Sequence, residues 1–362
     1  MINLYDPDIT NSDIESVVKS LNKKHFSGNT KTVRQFEKDL SEFLEVEYVS
    51  SCSSGTAALH LALLSTDVKK DDEVIMPSLS YIATANSVSY VGGTPVFVDV
   101  DPDTWQIDIN KIESKVTKKT KAIMPVHLYG VVPELNEINK IAKKYNLKVI
   151  HDSAEALGSK YKNKYSTNFS DVSIISFFPN KVMTTGEGGA LCTNNKSIYK
   201  MAEKLKGQGL QGSKEYLHSH IGYNYRLSSM SAALGTPQIK RIKNNIEKKE
   251  LLFYKYVEEL EPLGFKFQKI TKNTTSSYWL IAVNVPEKIS RNKFKQFLLD
   301  NNIETRNVFI PIHQQPPYQH LNNKNEFPFS NTISKNGICL PSSPSLSEKN
   351  FKYIIKKIKE FI

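Results

Sequence analysis

The stretch Ser176-Phe-Phe-Pro-Asn-Lys-Val-Met-Thr-Thr-Gly-Glu-Gly-Gly189 leaves this chain few ways to fold. An apolar, β-rich run from Val172 to Phe178 stops at Pro179-Asn180, and a second apolar run, Ala190 to Cys192, follows the glycines. The pattern predicts strand, tight loop, strand, with Lys181 held in the loop. A lone lysine in a lysine-rich chain ordinarily reads as a solvated surface charge. Lys181 instead sits among aromatics and glycines, where lost solvation lowers the pKa of the amine and frees it to attack a carbonyl. Such an amine needs an aldehyde partner, and the rest of the chain should show where that partner sits.

Strands and helices alternate through the N-terminal half. Val49 to Cys52 reads as a strand, after which Ser53-Ser54-Gly55-Thr56 opens a helix from Ala57 to Leu64. Small and hydroxyl residues at a helix start leave backbone amides free to hold a phosphate. Ordinary helix caps look the same, so this motif needs support from elsewhere. Glu73 to Pro77 is a strand whose turn carries Tyr81, and Lys121 to His127 is another. Pro133 to Tyr145 is a helix with proline in its first turn. Leu147 to Ile150 is a strand that runs into Asp152. This alternation predicts an α/β fold with a largely parallel sheet, in which ligands collect at the C-terminal ends of the strands. The Ser54 turn, Tyr81 and Asp152 all fall just past strand ends, so one pocket can hold them.

Asp152 alone reads as readily as a helix cap or surface turn as it does as a carboxylate paired with a cationic ring nitrogen. Together with Lys181 and a phosphate-holding helix start, it fits pyridoxal phosphate. Asp152 would keep the pyridine nitrogen protonated, and Lys181 would carry the aldehyde as a Schiff base. The Gly55 and Thr56 amides and Ser176 would hold the phosphate, and Tyr81 would stack on the ring.

The flanking segments are read more simply. Ser12-x-x-Glu15 predicts a capping box that opens a helix from Ile14 to Leu21. A helix from Thr32 to Leu44 follows. Leu227 to Tyr256 reads as helical, with an interruption expected at Gly235-Thr-Pro237. Beyond it lie a strand from Tyr278 to Val285, a helix from Arg291 to Leu299, a strand from Glu304 to Phe309 and an amphipathic tail from Glu348 to Phe361. This predicts a large cofactor-binding domain, residues 1–249, and a small C-terminal α/β domain, residues 250–362. His313, in a turn-rich loop with Tyr318, reads by itself as a surface histidine.

Composition excludes several classes. The chain of 362 residues carries a net charge of +11, yet only five of its 48 basic residues are arginine (Arg34, Arg226, Arg241, Arg291, Arg306). No Arg-rich block or basic-aromatic repeat marks a nucleic-acid groove. The charge suits a phosphorylated substrate, and the scarcity of arginine draws attention to Arg226 and Arg306. Cys52, Cys192 and Cys339 have neither disulfide nor metal spacing, so a metal is not expected and a reducing compartment is. The N-terminus lacks signal-peptide character and no run reaches membrane-spanning length, so a cytoplasmic protein without a membrane partner is expected.

Seven stretches carry a resemblance: Ser54 to Leu63, Pro95 to Asp99, His127 to Gly130, Asp152 to Gly158, Ser176 to Lys181 with Thr184 to Gly189, Gly222 to Arg226, and Ile303 to Arg306. By these the chain resembles the sugar-nucleotide aminotransferases of the DegT/DnrJ/EryC1/StrS family. The resemblance implies a fold type I (aspartate aminotransferase-like) pyridoxal phosphate enzyme. It also implies a homodimer with shared active sites, in which Asn224 reaches the phosphate of the neighbouring chain's cofactor. It implies that Glu155 touches the substrate or the cofactor face. Arg226, and the loop carrying His313 and Tyr318, become substrate candidates. A branch of the family replaces the lysine with histidine and is a dehydratase; Lys181 favours transamination here. His151 departs from the acidic residue that many members carry before the aspartate. Within the family the likeness is strongest to members that make GDP-perosamine by aminating C4 of a 4-keto-6-deoxy nucleotide sugar. Members that use UDP- or dTDP-linked sugars share much of it. L-glutamate as amino donor and a surface polysaccharide such as O-antigen as destination follow by the same analogy.

Overall fold

The computed structural model describes residues 1–211, 216–321 and 326–362. Its helices are α1 (Asn11–Asn22), α2 (Lys31–Leu44), α3 (Gly55–Ser65), α4 (Ala83–Tyr90), α5 (Leu135–Tyr145), α6 (Lys196–Lys206), α7 (Ser229–Ile239), α8 (Ile242–Leu260), α9 (Arg291–Asp300), α10 (Pro328–Asn336) and α11 (Glu348–Phe361). The first nine strands are β1 (Tyr48–Cys52), β2 (Glu73–Pro77), β3 (Thr94–Val98), β4 (Thr120–Ile123), β5 (Lys148–Asp152), β6 (Lys160–Tyr161), β7 (Lys164–Tyr165), β8 (Val172–Ser176) and β9 (Gly189–Thr193). The remainder are β10 (Lys266–Phe267), β11 (Thr274–Thr275), β12 (Ile281–Asn284), β13 (Arg306–Asn307) and β14 (Gly337–Leu340).

Seven strands form the main sheet in the order β1-β9-β8-β5-β4-β2-β3. All pairings from β8 to β3 are parallel, while β9 runs antiparallel to both β8 and β1. Parallel strands need cover on both faces, and the sequence supplies it. Every residue of β8 is buried, and α3 is buried at each position from Ala57 to Leu63, as a helix pressed between sheet and outer layer must be. The sheet therefore has the doubly covered form of the fold type I α/β enzymes, and its carboxyl edge brings the loops after β1, β2, β5 and β8 together.

A second sheet, β10-β12-β14-β13, is antiparallel throughout and packs beneath α8, α9 and α11. A small third sheet joins β11 to the β6–β7 hairpin. The N-terminus belongs with the second sheet, since Ile2 bridges Ile303. The predicted division after residue 249 falls inside α8. Ile242 and Ile246 pack into the main-sheet core, whereas Leu252, Phe253, Tyr256 and Leu260 pack into the core of the second sheet.

Several predicted edges move. The α1 cap is Thr10, whose N–H donates to Asp13 Oδ2 at 2.7 Å, so the helix starts ahead of the predicted Ser12 box. Pro237 stays inside α7, and the break falls after it at Lys240 and Arg241. The strands expected over Tyr278 to Val285 and Glu304 to Phe309 shorten to β12 and β13, because only their central residues find a ladder partner. Among the described residues no helix is long and apolar enough to cross a membrane. No cluster of His, Cys, Asp or Glu in them could hold a metal, and all three cysteines are free and buried.

Candidate active site

The loops at the carboxyl edge enclose a cavity of about 390 Å³. Gly55, Thr56, Tyr81, Asp152, Glu155, Ser176 and Lys181 all line it, so seven of the predicted site residues meet in one place. The lysine loop has the predicted form. β8 leads out through Ser176, the chain turns over Lys181, and β9 returns with Gly189 opposite Ser176. Backbone bonds close the loop: Phe177 donates to the Gly188 carbonyl at 2.9 Å, and Thr185 to the Phe177 carbonyl at 3.0 Å.

Lys181 is largely enclosed. Its Nζ lies 3.4 Å from the Trp279 ring centroid and 3.8 Å from Glu155 Oε1. Burial lowers the pKa of the amine, opposed by the nearby Glu155 and Asp152 carboxylates. Burial also raises Glu155 to about 7, opposed by Lys181 and by the Tyr129 N–H, which donates to Glu155 Oε2 at 2.7 Å. Burial thus disfavours the charged form of both members of the pair, while each one's charge favours the other's. The loop backbone is held from outside. Trp279 Nε1 donates to the Asn180 carbonyl at 2.6 Å, and the Tyr5 hydroxyl donates to the Lys181 carbonyl at 2.8 Å.

Asp152, the last residue of β5, is buried. Thr84 Oγ1 donates to its Oδ2 at 2.7 Å and the Ala154 N–H to its Oδ1 at 3.2 Å. Burial raises its pKa, and the Thr84 and Ala154 bonds oppose the rise. Such a carboxylate gains from a cationic partner. At the opposite wall Ser54 caps α3, its side chain accepting from the Ala57 N–H at 3.0 Å. The first intrahelical bond is Ala58 N–H to the Ser54 carbonyl, which leaves the Gly55 and Thr56 amides for an anion. The packing there has no room for a side chain. A Cβ on Gly55 would lie 3.0 Å from Ser176 Cβ, and one on Gly189 would lie 2.5 Å from the Ser54 carbonyl carbon. The donor set thus fits pyridoxal phosphate: amides and a serine hydroxyl for the phosphate, a buried carboxylate for the ring nitrogen and a desolvated amine for the aldehyde.

Four candidates lie elsewhere. Asn224 and Arg226 follow α6 on a segment bridged to Gly207 and Cys52, and Asn224 is exposed with the Arg226 guanidinium 3.3 Å from its Oδ1. His313 is not on the surface. It is buried, stacked on Phe327 at 4.2 Å, with Nδ1 bonded to Ser78 Oγ. Tyr318 is also core: its hydroxyl donates to Asn86 Oδ1 at 2.8 Å and its ring packs edge-on against Phe97. Neither lines the cavity, because the loop folds inward to fill space beside β3 and α4. Conversely, the cavity wall holds Thr84, Trp279, Phe309 and Arg306, of which only Arg306 carried a signal, its rarity. Trp279 is one of only two tryptophans, and an aromatic opening a predicted strand could have been weighed as a wall of the site.

Comparison with known proteins gives the family. The model of the DegT/DnrJ/EryC1/StrS aminotransferase family matches residues 7–359. GDP-perosamine synthase of Escherichia coli O157:H7 is 41% identical over 99% of this chain and 98% of its own length. GDP-perosamine synthase of Vibrio cholerae is 35% identical over 100% of this chain and 99% of its own. The crystal structure of a DegT DnrJ EryC1 StrS aminotransferase from Brucella abortus superposes with a TM-score of 0.90 at 29% identity, covering 97% of this chain and 95% of that one. The chain belongs to the DegT/DnrJ/EryC1/StrS aminotransferase family, whose members depend on pyridoxal phosphate.

Proposed function

We propose that this family member moves an amino group from an amino acid, L-glutamate by analogy, to C4 of a 4-keto-6-deoxy nucleotide sugar; its likeness to proteins named GDP-perosamine synthase supports the reading. The observation that carries the reading is the placement of Lys181 and Asp152 in one cavity that ends at the start of α3. When bound, pyridoxal phosphate supplies a carbonyl that exchanges for the amino group and a ring that draws off electron density. The chain supplies the rest. The Gly55 and Thr56 amides and Ser176 anchor the phosphate. Asp152, fixed by Thr84 and Ala154, holds the proton of the ring nitrogen in place. Lys181 takes the α-proton of the donor and returns one to the sugar carbon. Glu155, 3.8 Å from its Nζ, sets which of the two carries charge between those events. Tyr81 at the cavity mouth, beside Phe309 at 5.8 Å, covers the ring.

We also take residues 1–249 and 250–362 as two domains that share α8, and two chains as the working unit in the cytoplasm. In such a dimer the exposed Asn224 would reach the phosphate of the partner's cofactor, and Arg226 is kept as a substrate residue. Production of an amino sugar for O-antigen or another surface polysaccharide suits the assignment. The test is spectroscopic. The visible band of the cofactor-loaded protein should collapse on addition of L-glutamate and return on addition of a 4-keto nucleotide sugar. A band indifferent to every amino acid would end the transaminase reading. A return only with 3-keto or UDP-linked sugars would move the substrate.

A further inference from the structure

The N-terminal segment is strapped across the molecule by one face of α8. Residues at four-residue spacing reach it in turn. Arg241 Nη2 donates to Asp13 Oδ2 at 2.7 Å, Asn245 Nδ2 to Asp8 Oδ2 at 3.0 Å, and Lys249 lies under Tyr5 with Nζ 4.7 Å from the ring centroid. Lys249 is 1% exposed, and no carboxylate pairs with it among the described residues. Its Nζ donates to the Ser342 carbonyl at 2.5 Å, and the Ser342 N–H donates to the Leu4 carbonyl at 2.8 Å. The strap ends on the lysine loop, where the Tyr5 hydroxyl takes the Lys181 carbonyl. Burial raises the Tyr5 pKa, so this hydroxyl stays a donor.

Two consecutive carbonyls of the lysine loop, those of Asn180 and Lys181, are thus gripped by side chains from distant parts of the chain, Trp279 and Tyr5. A carbonyl held this way fixes the peptide plane from which the four-carbon stem of Lys181 projects. The amine must reach the aldehyde at bonding geometry, and small errors of placement cost rate steeply. A lysine side chain is long enough to touch the Ser342 carbonyl and the underside of the Tyr5 ring together, and desolvation at that point is its cost.

We propose that Tyr5 and Lys249 are positioning residues for the Lys181 amine: Tyr5 holds the carbonyl of Lys181, and Lys249 seats Tyr5. The proposal rests on the reading of Lys181 as the cofactor lysine. It is tested by reconstituting the apoprotein with pyridoxal phosphate and timing the growth of the visible band. In that reaction the Lys181 nitrogen forms a double bond to the aldehyde carbon, and the aldehyde oxygen leaves as water. Tyr5→Phe removes one oxygen and should slow the band roughly three- to tenfold, the worth of one hydrogen bond. Lys249→Met should slow it by a similar factor. Because Lys249 acts through Tyr5, the double variant should be no slower than the slower single one. Melting temperature, measured alongside, should instead fall further in the double variant, since Lys249 has its own bond to Ser342. A wild-type rate in Tyr5→Phe overturns the proposal, whatever Lys249→Met does. Multiplying rate effects in the double variant overturn the route through Tyr5. A wild-type protein that forms no band, or a Lys181→Ala protein that forms the same one, defeats the reading of Lys181 itself and is recognised before either variant is compared.

Discussion

Two enclosed lysines among the described residues, Lys181 and Lys249, keep opposite company. Lys181 opens on the cavity with the Glu155 carboxylate 3.8 Å away and Trp279 against its Nζ. Lys249 is sealed between α8, Tyr5 and the Ser342 carbonyl, where burial lowers its pKa to about 7. Desolvation acts on both, so a depressed pKa does not by itself mark a nucleophile. What separates them is access to a cavity and a neighbouring carboxylate that can take up and return the proton. Lys206 makes the same point from the other side: it is buried as deeply, but Glu37 and Glu203 flank it and its pKa rises.

The comparison is broken most directly by exchanging the two lysines' expected phenotypes. Lys181→Ala should cut steady-state transamination by at least roughly 10³-fold, within the range of general acid–base catalysis. Lys249→Met should keep it within about tenfold, the limit set by one hydrogen bond. Comparable losses would show that burial, not the cavity, decides. Asp152→Asn ranks next. Asparagine keeps the size and the Thr84 contact but cannot hold a proton on the ring nitrogen. Turnover should fall on the order of a hundredfold, while cofactor content, read from the protein's absorbance, falls far less. Equal losses would make Asp152 a binding residue only.

The lysine loop and the capped turn at Ser54 were legible in the sequence because both are local. Strand ends, glycines and a helix cap lie within a few residues of the atoms they position. The parallel sheet was legible for the same reason, since strand–helix alternation determines which loops share an edge. Around the site, what was missed rests on contacts distant in sequence. His313 and Tyr318 sit in a loop rich in proline, which reads as surface, yet Ser78, Asn86 and Phe97 from the first half of the chain draw it inward. Trp279 and Tyr5 grip the lysine loop from nearly a hundred residues and more away, and nothing in their own neighbourhoods announces it. Thr84 reads as one small residue in a helix of small residues. Its role appears only when α4 is laid beside β5.

Stability against pH sharpens the comparison at a smaller scale, because the two sites have opposite signs. The Lys249 pKa falls from 10.5 to about 7 on folding. Between those values the unfolded chain binds the extra proton, so stability rises with pH from about 7 upward, by at most ~1.4 kcal/mol per unit. Lys249→Met should reduce that rise in denaturant midpoints measured across the alkaline range, leaving the share that the depressed Lys181 contributes. The Glu155 pKa rises from 4.5 to about 7 on folding. There the folded chain holds the extra proton, so stability falls as pH climbs from 4.5 to 7. Glu155→Gln should flatten that acid limb, and by removing the carboxylate beside Lys181 it should also shift the alkaline one. A variant that leaves its own limb unchanged would show that the assigned group is not the one titrating.

The smallest effect tests the sealed side alone. The Tyr318 hydroxyl donates to Asn86 Oδ1 at 2.8 Å and lies 3.0 Å from Ser89 Oγ, with its ring against Phe97 in the main-sheet core. Tyr318→Phe keeps the ring and leaves those two groups short of a partner, which costs about 1 kcal/mol. The melting temperature should drop by a few degrees at most, and kcat and KM for both substrates should stay as they are. A raised KM for the nucleotide sugar at an unchanged melting temperature would reverse the inference. It would mean that this loop leaves the core to meet the sugar, and that the line drawn here between cavity wall and core runs through the wrong residue.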